Sequence, residues 1–280
     1  MSPSRSRRGL MPGFSQTLGI TLAYLGVIVL LPLGAMLATA AGLGPAGFWH
    51  AATGSRALAT YRVTLLSAAE AVAFNAAVGL LFAWVLARYR FPGRRLLDAL
   101  IDLPFAMPTA VAGLALAALF GANGWFGRVL VPLGIEVTHT QWGIVAAMAF
   151  TSLPFVVRSL QPVIEDLEPE AEEAARSLGA GDLAILRRVV LPPLLPALVT
   201  GLSLAFARSL GEFGAIIFIA GNRPFETEIT ALLIFIRLEE YEFGAATAIA
   251  TMVLLASFVV MLLTNLWQTR QQRYLEASGR

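Results

Sequence analysis

An arginine and a glutamate stand four residues apart in "ARSLGEFGAIIFIAGN", Ala207 to Asn222, within an otherwise apolar run. On a helix that spacing places both side chains on one face. A charge at mid-bilayer costs roughly 2.5–3.5 kcal/mol on insertion scales, so it turns toward protein or water and keeps a partner. Arg208 and Glu212 therefore read as a mutual ion pair facing the interior of a bundle. Ser209, Gly211 and Gly214 would let another helix approach closely. The chemistry open to Arg208 is Coulomb attraction for an anion, weakened by Glu212; a purely structural pair explains the same residues. Thr109 is the next candidate, because it directly follows Pro104 and Pro108. Each proline frees a backbone carbonyl and bends a helix, which a bilayer tolerates only against protein or a water-lined cavity. Thr109 then offers a hydroxyl on a pathway-lining bend, and a packing kink is the equal alternative. Glu70 and Asn75 are further polar residues in an apolar run, with weaker claims.

These residues do not form a reaction centre. GxSxG, HExxH and paired intramembrane aspartates are all missing from the sequence, and His50 and His139 are isolated, so no catalytic residue and no metal ligand is expected. With no cysteine, neither disulfides nor Cys-ligated metal sites are available. All 20 basic residues are arginine. A P-loop needs its lysine to reach the phosphates. Any ATP-driven role therefore needs another polypeptide to hydrolyse the nucleotide, and no cofactor is expected on this chain.

A third set of residues lies in "EDLEPEAEEAARSLGAGDLAILRRVVLPP", Glu165 to Pro193, a charged stretch in a mostly apolar chain. Pro169 suits the first turn of a helix, where its missing N–H costs nothing. Glu170, Glu172 and Glu173 then sit near the positive end of the helix dipole and Arg176 near the negative end. Ala171, Ala175 and Leu178 share one face. Gly179 fits just past the C-terminus, where positive φ is needed. Asp182 is a candidate cap for a second helix, Leu183 to Val190. Pro192 and Pro193 are expected to fix where the following span starts. The result is a short helix with a narrow small-residue face, suited to a groove on another protein; an amphipathic connector packed on its own chain is the plainer reading.

The elements that must hold these residues are set by hydropathy. The chain of 280 residues is 57% hydrophobic and only 14% charged, with mean hydropathy +0.73; soluble domains carry about 25% charged residues. A helix spans a bilayer with ~20 mainly apolar residues. Six runs qualify: about Thr17 to Thr39, Val63 to Ala87, Leu103 to Phe120, Gly143 to Leu160, Leu194 to Ala220 and Ala245 to Trp267. Backbone groups in hydrocarbon must be satisfied internally, and the runs lack the alternation of a barrel, so the fold class is all-α, a polytopic membrane protein. Residues 1–16 resemble a signal-peptide n-region, and Ala38-Thr39-Ala40 a cleavage site, but the apolar run exceeds the ~7–15 residues of a signal core, so an uncleaved first span is expected. Arginine counts favour one side fourteen to five, with Arg208 inside a span; the rich side, which includes Arg158, is then cytosolic, and both termini with it. The loop 165–193 falls on that side. The basic turn Arg88 to Arg95 reads as topology alone.

Glu173-Ala174-Ala175, then Gly179, Val189 and Leu191-Pro192 at their spacing resemble the EAA loop of bacterial ABC importer permeases, the cytosolic segment that docks on the ATP-binding subunit. That family often has Ile where Val189 stands. "YRVTLLSAAEAVAFNAAVGLLFAWVLARYRFPGRRLLDALIDLPFAMPTAVAGL", Tyr61 to Leu114, and the segment around Arg208 resemble the sulfate/thiosulfate importer permeases, T-type subunit, and more distantly the molybdate permeases. The likeness covers about Pro12 to Asn265. It implies a transport subunit and no enzyme: Glu173, Ala174, Ala175, Gly179, Leu191 and Pro192 couple to an ATPase dimer, while Arg208, Glu212, Thr109 and Ser209 are pathway candidates. It also implies a second, W-type permease, a periplasmic sulfate- or thiosulfate-binding protein, surrounding lipid and a bacterial inner membrane, with no nucleic-acid partner. A molybdate or tungstate permease is the alternative; a secondary transporter or channel would need no ATPase-docking loop.

The expected organisation is a cytosolic segment 1–16, one transmembrane permease domain 17–267 and a cytosolic tail 268–280. In the outer loops, Trp125 and Phe126 are expected at the interface. "ITALLIFI", Ile229 to Ile236, is too short to span and fits a helix dipping into the outer membrane surface. Glu226, Glu228, Glu239, Glu240 and Glu242 around it would be solvated or dock the binding protein.

Overall fold

The computed structural model describes the backbone of residues 14–278 and, Ser15 apart, the side chains of residues 14–266. Most of the expected segment 1–16, and the side chains of the expected tail 268–280, lie outside the described residues. Helix α1 (Gln16–Ala41) is followed by the short α2 (Gly44–Ala52) and the long α3 (Ser55–Arg88). Next come α4 (Arg94–Ala106), α5 (Thr109–Phe120) and α6 (Gln141–Glu165). After α6 the chain forms α7 (Pro169–Ser177), α8 (Asp182–Leu210), the single turn α9 (Ile216–Ile219), α10 (Thr230–Glu239) and α11 (Phe243–Ser278). The described residues contain no strand.

Five helices are long and apolar enough to cross a membrane, and α4 with α5 makes a sixth crossing only as a pair bent by 118°. The expected third span, Leu103 to Phe120, is therefore not one rod. Met107 and Pro108 are extended between the two helices, because a residue before proline is pushed out of the α region. α5 has 12 residues, about 18 Å of helix, well short of the ~30 Å hydrocarbon core.

The expected fifth span, Leu194 to Ala220, is displaced as well. α8 begins at Asp182 and stops at Leu210, and Gly211 to Ala215 separate it from α9. Pro192 and Pro193 do not start this helix, which runs straight through them. A π-turn, Leu186–Val190, precedes the prolines, and the Leu191 N–H reaches back to the Leu186 carbonyl. The prolines cannot donate to carbonyls one turn earlier, and a wide turn accommodates that loss. The cap of α8 is Gly181 and not Asp182, which sits in the first turn without a side-chain cap bond.

Packing centres on α6, which is gripped by α3 on one side and α8 on the other. Asn75 of α3 is fully buried and donates to the Ala149 carbonyl (3.0 Å) and to Ser152 Oγ (2.9 Å) on α6. It is thus a tie between helices, whereas Glu70 lies exposed and accepts from Gln141 at 3.1 Å. One core cluster, with Ile144, Met148, Leu210, Ile216, Ile219 and Leu232, surrounds the end of α8. A second, with Leu86, Ile101, Val156, Leu160, Ile164 and Leu194, lies toward α7. α10 does not merely lie on a surface: Thr230, Leu232 and Leu233 are buried against α3 and α11. α1 leans on α11 and α2, and only Ala40 of its residues is buried.

Candidate functional site

Two regions gather the candidate residues. The first is the junction where α8 ends and α5 begins. Arg208 occupies the last turn of α8, and its Nη2 lies 2.8 Å from Glu212 Oε2. The sequence placed both on one helix; the structure keeps the pair but puts Glu212 beyond the helix end, folded back. The Glu212 side chain is 1% exposed and that of Arg208 33%. Glu212 Oε1 accepts from the Ala215 N–H at 2.9 Å, so the carboxylate also caps the α9 turn. Ser209 is fully buried, and its Oγ has no hydrogen-bond partner.

Thr109 comes to this junction through a close backbone approach. A Cβ at Gly214 would stand 2.1 Å from Thr109 Oγ1, and a Cβ at Gly113 would stand 2.3 Å from the Ala215 carbonyl oxygen. Both contacts are closer than any side chain allows, so the first turns of α5 meet the Gly211–Ala215 segment through glycine. The junction thus combines a partly accessible guanidinium, a sequestered carboxylate, an unpaired hydroxyl and a helix broken by proline. It is equipped to attract an anion and to bend, and it holds no nucleophile–base set. Among the described residues no group of three or more His, Cys, Asp or Glu could hold a metal. His50 is exposed on α2, and His139 holds a positive φ of 63° in a tight turn, its N–H on the Ile219 carbonyl at 2.7 Å.

The second region is α7 and its surroundings. Pro169 opens the helix, with Glu170 and Glu172 in the first turn and Arg176 in the last. Gly179 has φ +85°. Its N–H bonds the Arg176 carbonyl (2.9 Å), and the Ala180 N–H bonds the Ala175 carbonyl (3.1 Å). That pairing is the Schellman end expected of a glycine here. Glu173 and Ala174 are exposed, while Ala175 is half-buried against the second core cluster, which includes Ile164 and Ile185. α7 lies against the π-turn of α8, which places Leu191 and Pro192 one turn further along the same helix. Leu178, at 88% exposure, and Leu183, at 67%, project from this surface.

Sequence reasoning missed the ion pairs that tie these elements together. Arg158, assigned to the arginine-rich side, lies within α6 and bonds Asp102 (2.8 and 2.6 Å), Asp98 (2.7 Å) and Gln161 (2.7 Å). Asp98 and Asp102, four apart on α4, were the available signal for a shared partner. Arg88, read as topology alone, bonds Glu172 of α7 at 2.6 Å. Glu228 is buried, not solvated, and holds Arg56 with two bonds of 2.9 and 2.6 Å.

Comparison with known proteins adds independent findings. Residues 77–275 match the family described as binding-protein-dependent transport system inner membrane component. The chain is 54% identical to the sulfate transport system permease protein CysT of Salmonella typhimurium over 95% of its length and 96% of that protein's. The Escherichia coli protein of that name gives the same identity and shares of length, and that of Synechocystis is 48% identical over 91% of this chain and 89% of its own. A bacterial alginate ABC transporter, solved with an alginate-bound periplasmic protein, superposes with TM-score 0.75 at 17% identity, covering 92% of this chain and 94% of the other. An amino acid ABC transporter superposes with TM-score 0.52 at 20% identity, over 77% and 94%.

Proposed function

The chain belongs to the inner membrane components of binding-protein-dependent transport systems, and from that premise we propose that it is the permease subunit of an ATP-driven importer of sulfate, with thiosulfate as a second substrate. The observation that carries this reading is the 54% identity to two sulfate transport permeases across nearly the full length of both. The chain itself is a transport component and not an enzyme. In the proposed assembly a dimer of ATP-binding subunits lies on the cytosolic side, a second, W-type permease stands beside this one, and a periplasmic protein delivers the anion.

α7 is the coupling helix in this reading. Glu173, Ala174 and Gly179, with Leu191 and Pro192 on α8, form the surface that enters a groove on the ATPase, and Ala175 seats the helix on its own chain. Exposed Leu178 and Leu183 give that surface apolar anchors. Closure of the ATPase dimer moves α7, and α8 carries the displacement to the junction. Arg208 there offers a cation to a passing dianion while Glu212, Ser209 and Thr109 shape its surroundings. α5 and the Gly211–Ala215 break supply the bending point for alternating access.

The experiment is ATP-dependent uptake of radiolabelled sulfate into proteoliposomes holding the whole assembly, with thiosulfate and molybdate as competitors. Uptake blocked by thiosulfate and untouched by molybdate is expected; molybdate uptake in preference to sulfate overturns the substrate assignment. Glu173→Lys or Gly179→Arg should leave insertion and ATPase binding measurable but abolish uptake per ATP hydrolysed. Normal uptake by both variants refutes the coupling role. Arg208→Gln should lower sulfate uptake without dissociating the assembly, and undiminished uptake removes Arg208 from the pathway.

A further inference from the structure

The two adjacent glutamates of α7 have different surroundings. Glu173 is exposed, whereas Glu172 turns back to its own chain and bonds Arg88, the last residue of α3, at 2.6 Å. The pair is sheltered, with side chains 21% and 18% exposed. The Arg88 guanidinium also lies over the Trp84 ring, 5.2 Å from its centre, one turn back on α3. Charge-assisted bonds of this length are the strong kind, and the aromatic face adds to the hold on the cation. No residue of α7 is itself buried. Its apolar hold is the half-buried Ala175, and it connects to the rest of the chain through turns at Asp166–Glu168 and Gly179–Gly181. A helix so lightly packed does not transmit a push on its own; it needs a point of attachment.

We infer that Arg88 and Glu172 are positioning residues for coupling: their bond latches α7 to the end of α3, so that force applied at the exposed Glu173 face reaches α3 as well as α8. α3 lies along α6 for most of its length, and α6 touches both α8 and α5. The latch thereby engages both helices that grip α6 and not the nearer one alone. Neither residue contacts substrate or nucleotide in this scheme. Loss of one partner strands the other charge in a sheltered place and frees α7 to pivot about its two turns.

This inference rests on the coupling role proposed above for α7, and its test separates the two. The chain has no cysteine, so Arg90→Cys with Ser177→Cys gives a spin-label pair across the latch in an otherwise unaltered protein. In the full reconstituted assembly the native latch should give one narrow label–label distance. Glu172→Gln should broaden that distribution and reduce sulfate moved per ATP by about tenfold, a typical coupling energy. Exchange of the two charges, Arg88→Glu with Glu172→Arg, should restore both readouts. Should Glu172→Gln fail to assemble, Arg88→Gln removes the same bond from the other side and carries the same two expectations. An unchanged distance distribution and an unchanged transport ratio in Glu172→Gln or Arg88→Gln overturn the latch, as does an exchange variant that restores neither. In an assembly that moves no sulfate in any form, the transport reading falls, and the label distances alone decide for or against the latch.

Discussion

A virtual Cβ on Gly214 lies 2.1 Å from Thr109 Oγ1, a side-chain contact that substitution can probe from both sides. Gly214→Ala forces α5 and the Gly211–Ala215 segment apart, an overpacking change that costs about 1–3 kcal/mol. The expected outcome is a lower thermal inactivation midpoint of the solubilised protein together with reduced uptake. Thr109→Ala removes the nearer of the clashing atoms, so the double variant should recover part of both losses. Lack of any recovery would show that the two residues do not meet as described. The polarity of the site was legible from sequence here, and its geometry was not. Arg208, Glu212 and Thr109 stood out as polar residues in apolar runs. That Glu212 leaves the helix and caps α9 depends on Gly211 ending α8, and one glycine in an apolar run does not announce a break.

At the scale of elements, the separation between what was legible and what was not follows the range of the forces. The ends of α7 were readable because they are local: Pro169 opens the helix and Gly179 closes it with φ +85°. The bend at Pro104 and Pro108 was readable as a bend, while the 118° turn that divides α4 from α5 requires the extended Met107 and Pro108. The fifth span was mislocated because prolines usually begin helices, and here a π-turn lets α8 pass through two of them. Ion pairs such as Arg158 with Asp98 and Asp102, 60 and 56 residues away in sequence, are set by which helices pack together, and no local pattern encodes that. Their role is testable. Arg158→Met should release α4 from α6, and a cysteine at Leu97, half-buried in the native structure, should then react several-fold faster with a water-soluble maleimide. An unchanged labelling rate would mean that apolar packing around Ile101 holds α4 without the ion pair.

For the whole molecule, an all-α chain with five long apolar helices and one bent pair followed from run lengths, and the mutual embrace of α3, α6 and α8 did not. Orientation is the expectation that binds every scale together, because the coupling surface is useful only where an ATPase can reach it. A single cysteine at Arg90 or at exposed Arg176 should react with a membrane-impermeant reagent only when the cytosolic face is open. A cysteine replacing Trp125, which is 81% exposed, should react only from the opposite side. The reverse pattern would invert the protein and remove α7 from any nucleotide-driven partner.

Among the described residues, none of the three buried clusters includes a side chain from before Ala57, and α1 is seated mainly along α11. The family match likewise starts inside α3, at residue 77. The first crossing is thus an appendage to a body of four long apolar helices and the bent pair α4–α5. Exchanging everything ahead of Gly42 for an unrelated cleavable leader should yield a shortened subunit that still inserts and still keeps its interior intact.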